Sequence, residues 1–218
     1  MNPIFEKIKS VGFDIDNTLY SNNPQMDKMI RGNIARKILK YQPELKTIEE
    51  TLRVYEPIYA KTGSWTKILK EIGAPDSRRE MTECVSDFSV TDLICSDARL
   101  QEIIKKIKKK YSTFLLTSNT EDLGSRKLNR LGIEKEVFDA RYFGDHPAFT
   151  YKADGGIFKF LLENSPYKPD EHVYVGDNLV ADILSSKKQG MKAIMVGGVA
   201  KEADYCIADI HEIEEVLL

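Results

Sequence analysis

The sequence predicts an α/β fold: a doubly wound, mostly parallel sheet whose chain is interrupted after the first strand by an all-helical insertion. Three observations predict it. Short apolar runs alternate with amphipathic helical segments from about residue 94 onward, which is the pattern of strands joined by crossover helices. The stretch 22–93 carries helical periodicity alone. Polar residues gather where the strands end, at the edge where open parallel sheets bind ligands. A length of 218 residues suits one large domain or a core with an insert, expected here as 1–21 with 94–218 and 22–93.

The first strand is the apolar run Val11-Gly12-Phe13, which stops abruptly at Asp14, with Asn17 and Thr18 able to bond the backbone of the turn that follows. Helical spacing then begins. Met26, Ile30, Ile34 and Ile38 recur every four residues, and Pro43 ends the segment. A second helix opens on the capping box Thr47-Ile48-Glu49-Glu50, carries Leu52, Tyr55 and Tyr59, and is expected to kink at Pro57. Gly63 and Ser64 restart a helix bearing Trp65, Ile68, Leu69 and Ile72, which Gly73 stops. The box Ser77-Arg78-Arg79-Glu80 begins a fourth, with Met81, Val85 and Phe88 inward.

Strand and helix alternate thereafter. Asp97 caps a helix with Leu100, Ile103, Ile104 and Ile107 inward, and Phe114-Leu115-Leu116 is a buried strand ending at Thr117-Ser118-Asn119. A helix around Leu123, Leu128 and Leu131 closes at Gly132, and a strand is expected over 137–142. Residues 152–164 include a helix with Ile157, Phe158, Leu161 and Leu162 inward. The strand His172-Val173-Tyr174-Val175 breaks at Gly176-Asp177, a helix runs to Gln189, Ala193–Val196 is a further strand, and a last helix spans about 210–218. No internal repeat or low-complexity tract is present.

Composition narrows the function classes. Hydrophobic residues are 42% and charged residues 30% of the chain, ordinary for a soluble protein, and no apolar run approaches bilayer length. A net charge of −2 gives no reason to expect nucleic acid as a partner, and the basic run Lys105–Lys110 is the solvated face and C-terminal end of a helix. The opening residues lack the order of a secretion signal, so a cytoplasmic location is expected. Cys84, Cys95 and Cys206 are widely spaced and odd in number, indicating neither a disulfide framework nor a zinc site. His146, His172 and His211 show no ligand spacing and are expected at the surface or as incidental residues.

The polar groups at the strand ends are Asp14 with Asp16, Thr117-Ser118-Asn119, Lys152, and Asp177-Asn178 with Asp182. Two carboxylates as close as Asp14 and Asp16 repel each other and call for a cation, a shared proton or strong donors. One of the pair can attack an electrophile while the other moves a proton to the leaving group and then activates water. Together the four groups suit phosphoryl transfer, which is mainly positioning and charge neutralisation. The Thr117 hydroxyl and the amides of Ser118 and Asn119 would bind phosphoryl oxygens, Lys152 would offset their charge, and Asp177 would complete an oxygen-rich site for Mg²⁺.

The order and spacing of Asp14-Ile15-Asp16-Asn17-Thr18, Thr117-Ser118-Asn119, Lys152 and Gly176-Asp177-Asn178-Leu179-Val180-Ala181-Asp182 resemble the four motifs of the haloacid dehalogenase (HAD) superfamily. That resemblance implies a Rossmann-like core with a helical cap of the C1 type, most members being Mg²⁺-dependent phosphatases. By motif position it implies Asp14 as the nucleophile that becomes an aspartyl phosphate and Asp16 as general acid and base. It implies Asp14, the main-chain carbonyl of Asp16, and Asp177 as metal ligands, Asp182 as a more distant metal residue, and Thr117 and Lys152 as phosphoryl ligands. The dehalogenases of the superfamily lack the second carboxylate, so Asp16 points to phosphate chemistry. The third motif often reads Lys-Pro, and here Ala153 follows Lys152.

The expected partner is a small soluble phosphomonoester chosen by the cap. The run Tyr55-Glu56-Pro57-Ile58-Tyr59 with Gly63-Ser64-Trp65 is similar to the pyrimidine 5′-nucleotidase branch, which suggests a nucleoside 5′-monophosphate. A sugar phosphate, phosphoglycolate or a phosphomutase reaction is the alternative, and a receiver-like phosphoacceptor switch a more distant one. The order of motifs opposes the switch, since Asp177 follows Lys152.

Overall fold

A computed structural model describes residues 2–21, 24–85 and 91–218. The chain forms two compact units, Met1–Ser21 with Ile94–Leu218, and Asn22–Leu93. The elements in chain order are β1 (Ser10–Phe13), α1 (Pro24–Tyr41), α2 (Ile48–Thr62), α3 (Trp65–Glu71), α4 (Ser77–Val85), α5 (Ala98–Lys110), β2 (Ser112–Leu116), α6 (Glu121–Leu131), β3 (Ala140–Tyr142), α7 (Gly156–Glu163), β4 (His172–Gly176), α8 (Ser185–Lys188), β5 (Lys192–Val196), β6 (Tyr205–Ile207) and α9 (Ile213–Leu217).

The larger unit is built on a six-stranded sheet of order β3-β2-β1-β4-β5-β6, parallel throughout. Winding proceeds from β1 toward β3 on one side and from β4 toward β6 on the other, so the strand order reverses between β1 and β4. A reversal of this kind opens a crevice beyond the carboxyl ends of the two strands. Phe13 lies opposite Leu115 on one side and Val175 on the other, which brings the ends of β1, β2 and β4 into line. Every residue of β1 and β4 is buried, as expected for strands covered on both faces.

Large side chains fill one flank of the sheet, among them Phe114, Leu116, Phe158, Leu161, Tyr174 and Met191. Each contributes about 1.5–3 kcal/mol by leaving water. Gly12 is dictated by this packing: a Cβ there would lie 1.9 Å from Cζ of Phe114. Helix α5 starts where Asp97 accepts from the Leu100 N–H at 2.9 Å, and it buries Leu100, Ile103, Ile104 and Ile107. Its basic run ties it to neighbours: Lys106 pairs with Glu214, Lys108 with Asp139, and Lys110 donates to the Leu217 carbonyl.

The smaller unit packs Ile34, Ile38, Tyr55, Ile68, Leu69, Ala74 and Cys84 into its own core. Thr47 caps α2 through the Glu50 N–H at 3.1 Å, and Ser64 caps α3 through the Lys67 N–H at 3.2 Å. Tyr59 stacks on Trp65 with ring centroids 4.6 Å apart and planes within 8°.

Several expectations need correction. The strand expected over 137–142 is confined to Ala140–Tyr142, because Lys135–Val137 form a 3₁₀ turn. β6 lacked an apolar run long enough to announce it. The segment after β4 begins as a π-helical turn, Leu179–Leu184, before α8. α4 is capped by Asp76, whose carboxylate accepts from the Arg79 N–H, instead of by Ser77. His172 is buried at the start of β4, bonded to Ser165 and to the Lys168 carbonyl. The inward placement expected for Phe88 lies outside the described residues. Among the described residues no helix is long and apolar enough to cross a membrane, and the three cysteines are free thiols.

Candidate active site

Asp14 follows β1 directly, its N–H donating to the Val175 carbonyl at 3.0 Å, so the backbone of the sheet continues one residue into the crevice. Asp177 directly follows the last residue of β4, Gly176. One carboxylate oxygen from each of Asp14, Asp177 and Asp182 lies within 4.8 Å of the others. Lys152, itself buried in a short 3₁₀ turn, donates to Asp14 Oδ1 at 2.7 Å, to Asp182 Oδ1 at 2.8 Å and to the Tyr174 hydroxyl at 3.2 Å. The residue where a proline is usual, Ala153, has its carbonyl held by the Ser185 hydroxyl at 2.9 Å.

Asp182 has no solvent exposure, and both its oxygens are engaged: Oδ1 by Lys152 and Oδ2 by the Asn178 N–H at 2.9 Å. It braces the loop and the lysine together. The approach is so close that a Cβ at Gly176 would fall 2.4 Å from Asp182 Oδ2. Asn178 turns its own carboxamide to the N–H groups of Val180 and Ala181, capping the π-helical turn.

The charges are unevenly matched. Burial is the largest influence on Asp14 and pushes its carboxyl up to about 7, with Lys152 opposing and Asp182 and Asp16 reinforcing the rise. Burial and then the charges of Asp182 and Asp14 push Asp177 up to about 8. Burial opposes a charge on Lys152 as well, but Asp14 and Asp182 outweigh it and hold the ammonium charged. Lys152 bonds two of the three carboxylates and leaves Asp177 without a bonded cation among the described residues. A divalent cation fits such a donor set: hard carboxylate oxygens converge, and their mutual repulsion is what the ion would relieve.

Asp16 lies in a different environment. Its Oδ1 accepts from Lys127 Nζ and from the Tyr20 hydroxyl, each at 2.5 Å, and its Oδ2 accepts from Asn119 Nδ2 at 2.6 Å. Burial would raise its pKa, but the Lys127 charge and the three donors together lower it. Asn17 takes φ 53° and turns the chain between Asp16 and Thr18, a conformation Asn tolerates better than most residues.

Among the sequence-predicted residues, Thr117 and Asn119 are buried beside this pair, whereas Ser118 is exposed. The Asn119 side chain faces protein on both ends, and it is the backbone amide that was expected to bind a phosphoryl oxygen. The side chain donates to Thr117 Oγ1 at 2.9 Å and to Asp16, and it accepts from Lys127 at 3.0 Å. Sequence reasoning passed over Lys127, Tyr20 and Tyr174. A signal for Lys127 was present: it lies midway between Leu123 and Leu131, on the inward stripe of α6, where an unpaired lysine would be costly.

The model for haloacid dehalogenase-like hydrolases matches residues 8–190. A relative from Methanopyrus kandleri named glyceraldehyde 3-phosphate phosphatase is 27% identical over 201 residues, 87% of this chain and 84% of that one. A HAD phosphatase structure from Thermococcus onnurineus superposes with a TM-score of 0.65 at 22% identity, covering 96% of this chain and 98% of the other. A Bacillus subtilis structure described as a HAD-hydrolase bound to magnesium superposes with a TM-score of 0.61 at 14% identity, covering 96% and 98%. A match over most of the chain, on the sheet order and carboxylate cluster described above, places this protein in the haloacid dehalogenase-like hydrolase family.

Proposed function

We propose that this hydrolase is a Mg²⁺-dependent phosphatase that cleaves a small sugar phosphate through an aspartyl phosphate on Asp14. The observation that carries the reading is the convergence of Asp14, Asp177 and Asp182, two of them bonded to the buried Lys152, with Asp16 held separately two residues from Asp14. Asp14, the Asp16 carbonyl and Asp177 are the groups that would hold the cation, with Asp182 bracing from behind. When bound, the cation supplies neutralisation of the carboxylate and phosphoryl charges.

In the first half-reaction a carboxylate oxygen of Asp14 forms a bond to phosphorus as the bond to the leaving oxygen breaks, and Asp16, entering this step in its protonated form, gives that oxygen its proton. In the second, Asp16 takes a proton from water, whose oxygen bonds to phosphorus as the Asp14–phosphorus linkage breaks. Inorganic phosphate leaves and both carboxyl groups return to their starting states. Thr117 Oγ1 accepts from Asn119, so its own hydrogen is directed toward a phosphoryl oxygen, beside the amides of Ser118 and Asn119. Lys152 lies against Asp14 Oδ1 and opposes the negative charge that grows there.

The Methanopyrus relative supports a phosphorylated three-carbon aldehyde as substrate, at a level of identity that fits the class better than the compound. A nucleoside 5′-monophosphate is less well supported. Tyr55 is buried in the core of the smaller unit, and Tyr59 and Trp65 each turn one ring face to the other. Phosphate release is to be measured from glyceraldehyde 3-phosphate, glycerol 3-phosphate, phosphoglycolate and nucleoside monophosphates, with Mg²⁺ and with EDTA. Turnover of the three-carbon esters that EDTA abolishes is expected. Undiminished turnover in EDTA, or none on any ester, contradicts the reading.

A further inference from the structure

Lys127 is the most deeply buried cation outside the family's four motifs. Its side chain keeps 2% of its exposure, whereas that of its partner Asp16 keeps 37%. The cation is therefore enclosed while the carboxylate remains reachable. Lys127 Nζ contacts two acceptors, Asp16 Oδ1 at 2.5 Å and Asn119 Oδ1 at 3.0 Å. An ammonium only donates. The Asn119 amide must therefore present its oxygen to Lys127 and its nitrogen to Asp16 Oδ2 and Thr117 Oγ1, the arrangement observed. With Lys127 on one oxygen and the amide it orients on the other, the Asp16 carboxylate is held from both ends. Without the lysine, the amide is free to turn over, placing one oxygen against another.

We propose that Lys127 is a positioning residue for proton transfer: it fixes the Asp16 carboxyl, directly and through Asn119, where it meets the leaving-group oxygen. The inference rests on the phosphatase reading above. Its consequence depends on the leaving group, because p-nitrophenolate departs without a proton whereas an alkoxide requires one. Lys127 has no role in this proposal that touches the attack by Asp14.

The test compares kcat on p-nitrophenyl phosphate and on glycerol 3-phosphate for the wild type, Lys127→Met, Lys127→Gln, Asp16→Asn and the Asp16→Asn/Lys127→Met double variant, with folding checked by circular dichroism. In Lys127→Met, kcat on glycerol 3-phosphate is expected to fall about 100-fold or more and on p-nitrophenyl phosphate less than about tenfold, general acid catalysis being worth 10²–10⁴-fold. In the Asp16→Asn background the same change is expected to cost glycerol 3-phosphate turnover little more, since the group it positions is gone. Should Lys127→Met fail to fold, Lys127→Gln is read by the same ratio. Equal losses on the two esters, full additivity with Asp16→Asn, or no loss would overturn the proposal while leaving the phosphatase reading intact. A wild type inactive on both esters would sink that reading instead.

Discussion

Cation binding at this site must displace protons, and the extent follows from the carboxyl groups themselves. Asp14 and Asp177 are pushed up to about 7 and about 8 by burial and mutual repulsion. At pH 7 Asp14 is then about half and Asp177 about nine-tenths protonated, so roughly 1.4 protons leave when Mg²⁺ binds. Treated as independent groups, they weaken apparent affinity about tenfold from pH 8 to 7 and about fiftyfold more from pH 7 to 6. Isothermal titration in two buffers of different ionisation enthalpy reads the proton count directly. Linkage gives the companion result for the cation-free protein. The folded carboxyls keep protons up to about 7–8, and the unfolded chain releases them near the ordinary aspartate value of 3.8. The folded state therefore binds more protons in that window, and its stability falls as pH rises through it. Mg²⁺ should raise the melting temperature more at pH 8 than at pH 6. An affinity that stays constant from pH 6 to 8, with no proton release, would refute the charge argument.

Other perturbations test the same structure. Lys152→Met leaves Asp14 and Asp182 buried without their bonded cation; a loss of about 3–5 kcal/mol is expected in chemical denaturation without Mg²⁺, and a smaller loss with it. Gly12→Ala sets a methyl group 1.9 Å from the Phe114 ring, so a loss of about 1–3 kcal/mol or more is expected from the shift of β1 against β2, read as a lowered melting temperature. Gly176→Ala drives against the Asp182 carboxylate and should lower kcat more than stability, which a melting curve and a turnover assay separate.

The sheet was legible because buried parallel strands are short apolar runs, seen at Val11, Phe114, Val173 and Ala193, and the first three lead into polar residues that mark their carboxyl edges. β6 was not, since Tyr205-Cys206-Ile207 is three residues at the sheet edge with one buried member, too short for periodicity to register. Asp14 and Asp177 were legible for the same reason as the strands, each closely following a run, whereas Lys152 in its 3₁₀ turn and Asp182 in the π-helical turn were read from the spacing of the motifs. Lys127 was not read, because a charged residue inside a helix is ordinarily solvated, and only the geometry shows a partner for it. Asn119 was read from its neighbours in the motif, which could not reveal that its amide is saturated by Asp16, Thr117 and Lys127. Long-range pairs of this kind, more than a hundred residues apart for Lys127 and Asp16, leave no local pattern.

On the proposed mechanism, phosphate passes through a covalent bond to Asp14. Enzyme mixed with excess substrate and quenched in acid within the first turnover, then reduced with borohydride and mapped by mass spectrometry, tests it directly. An acyl phosphate at Asp14 is reduced to homoserine at that position, and this is the expected product. Release of phosphate at full rate with Asp14 unmodified, or with the label on another residue, would contradict the account.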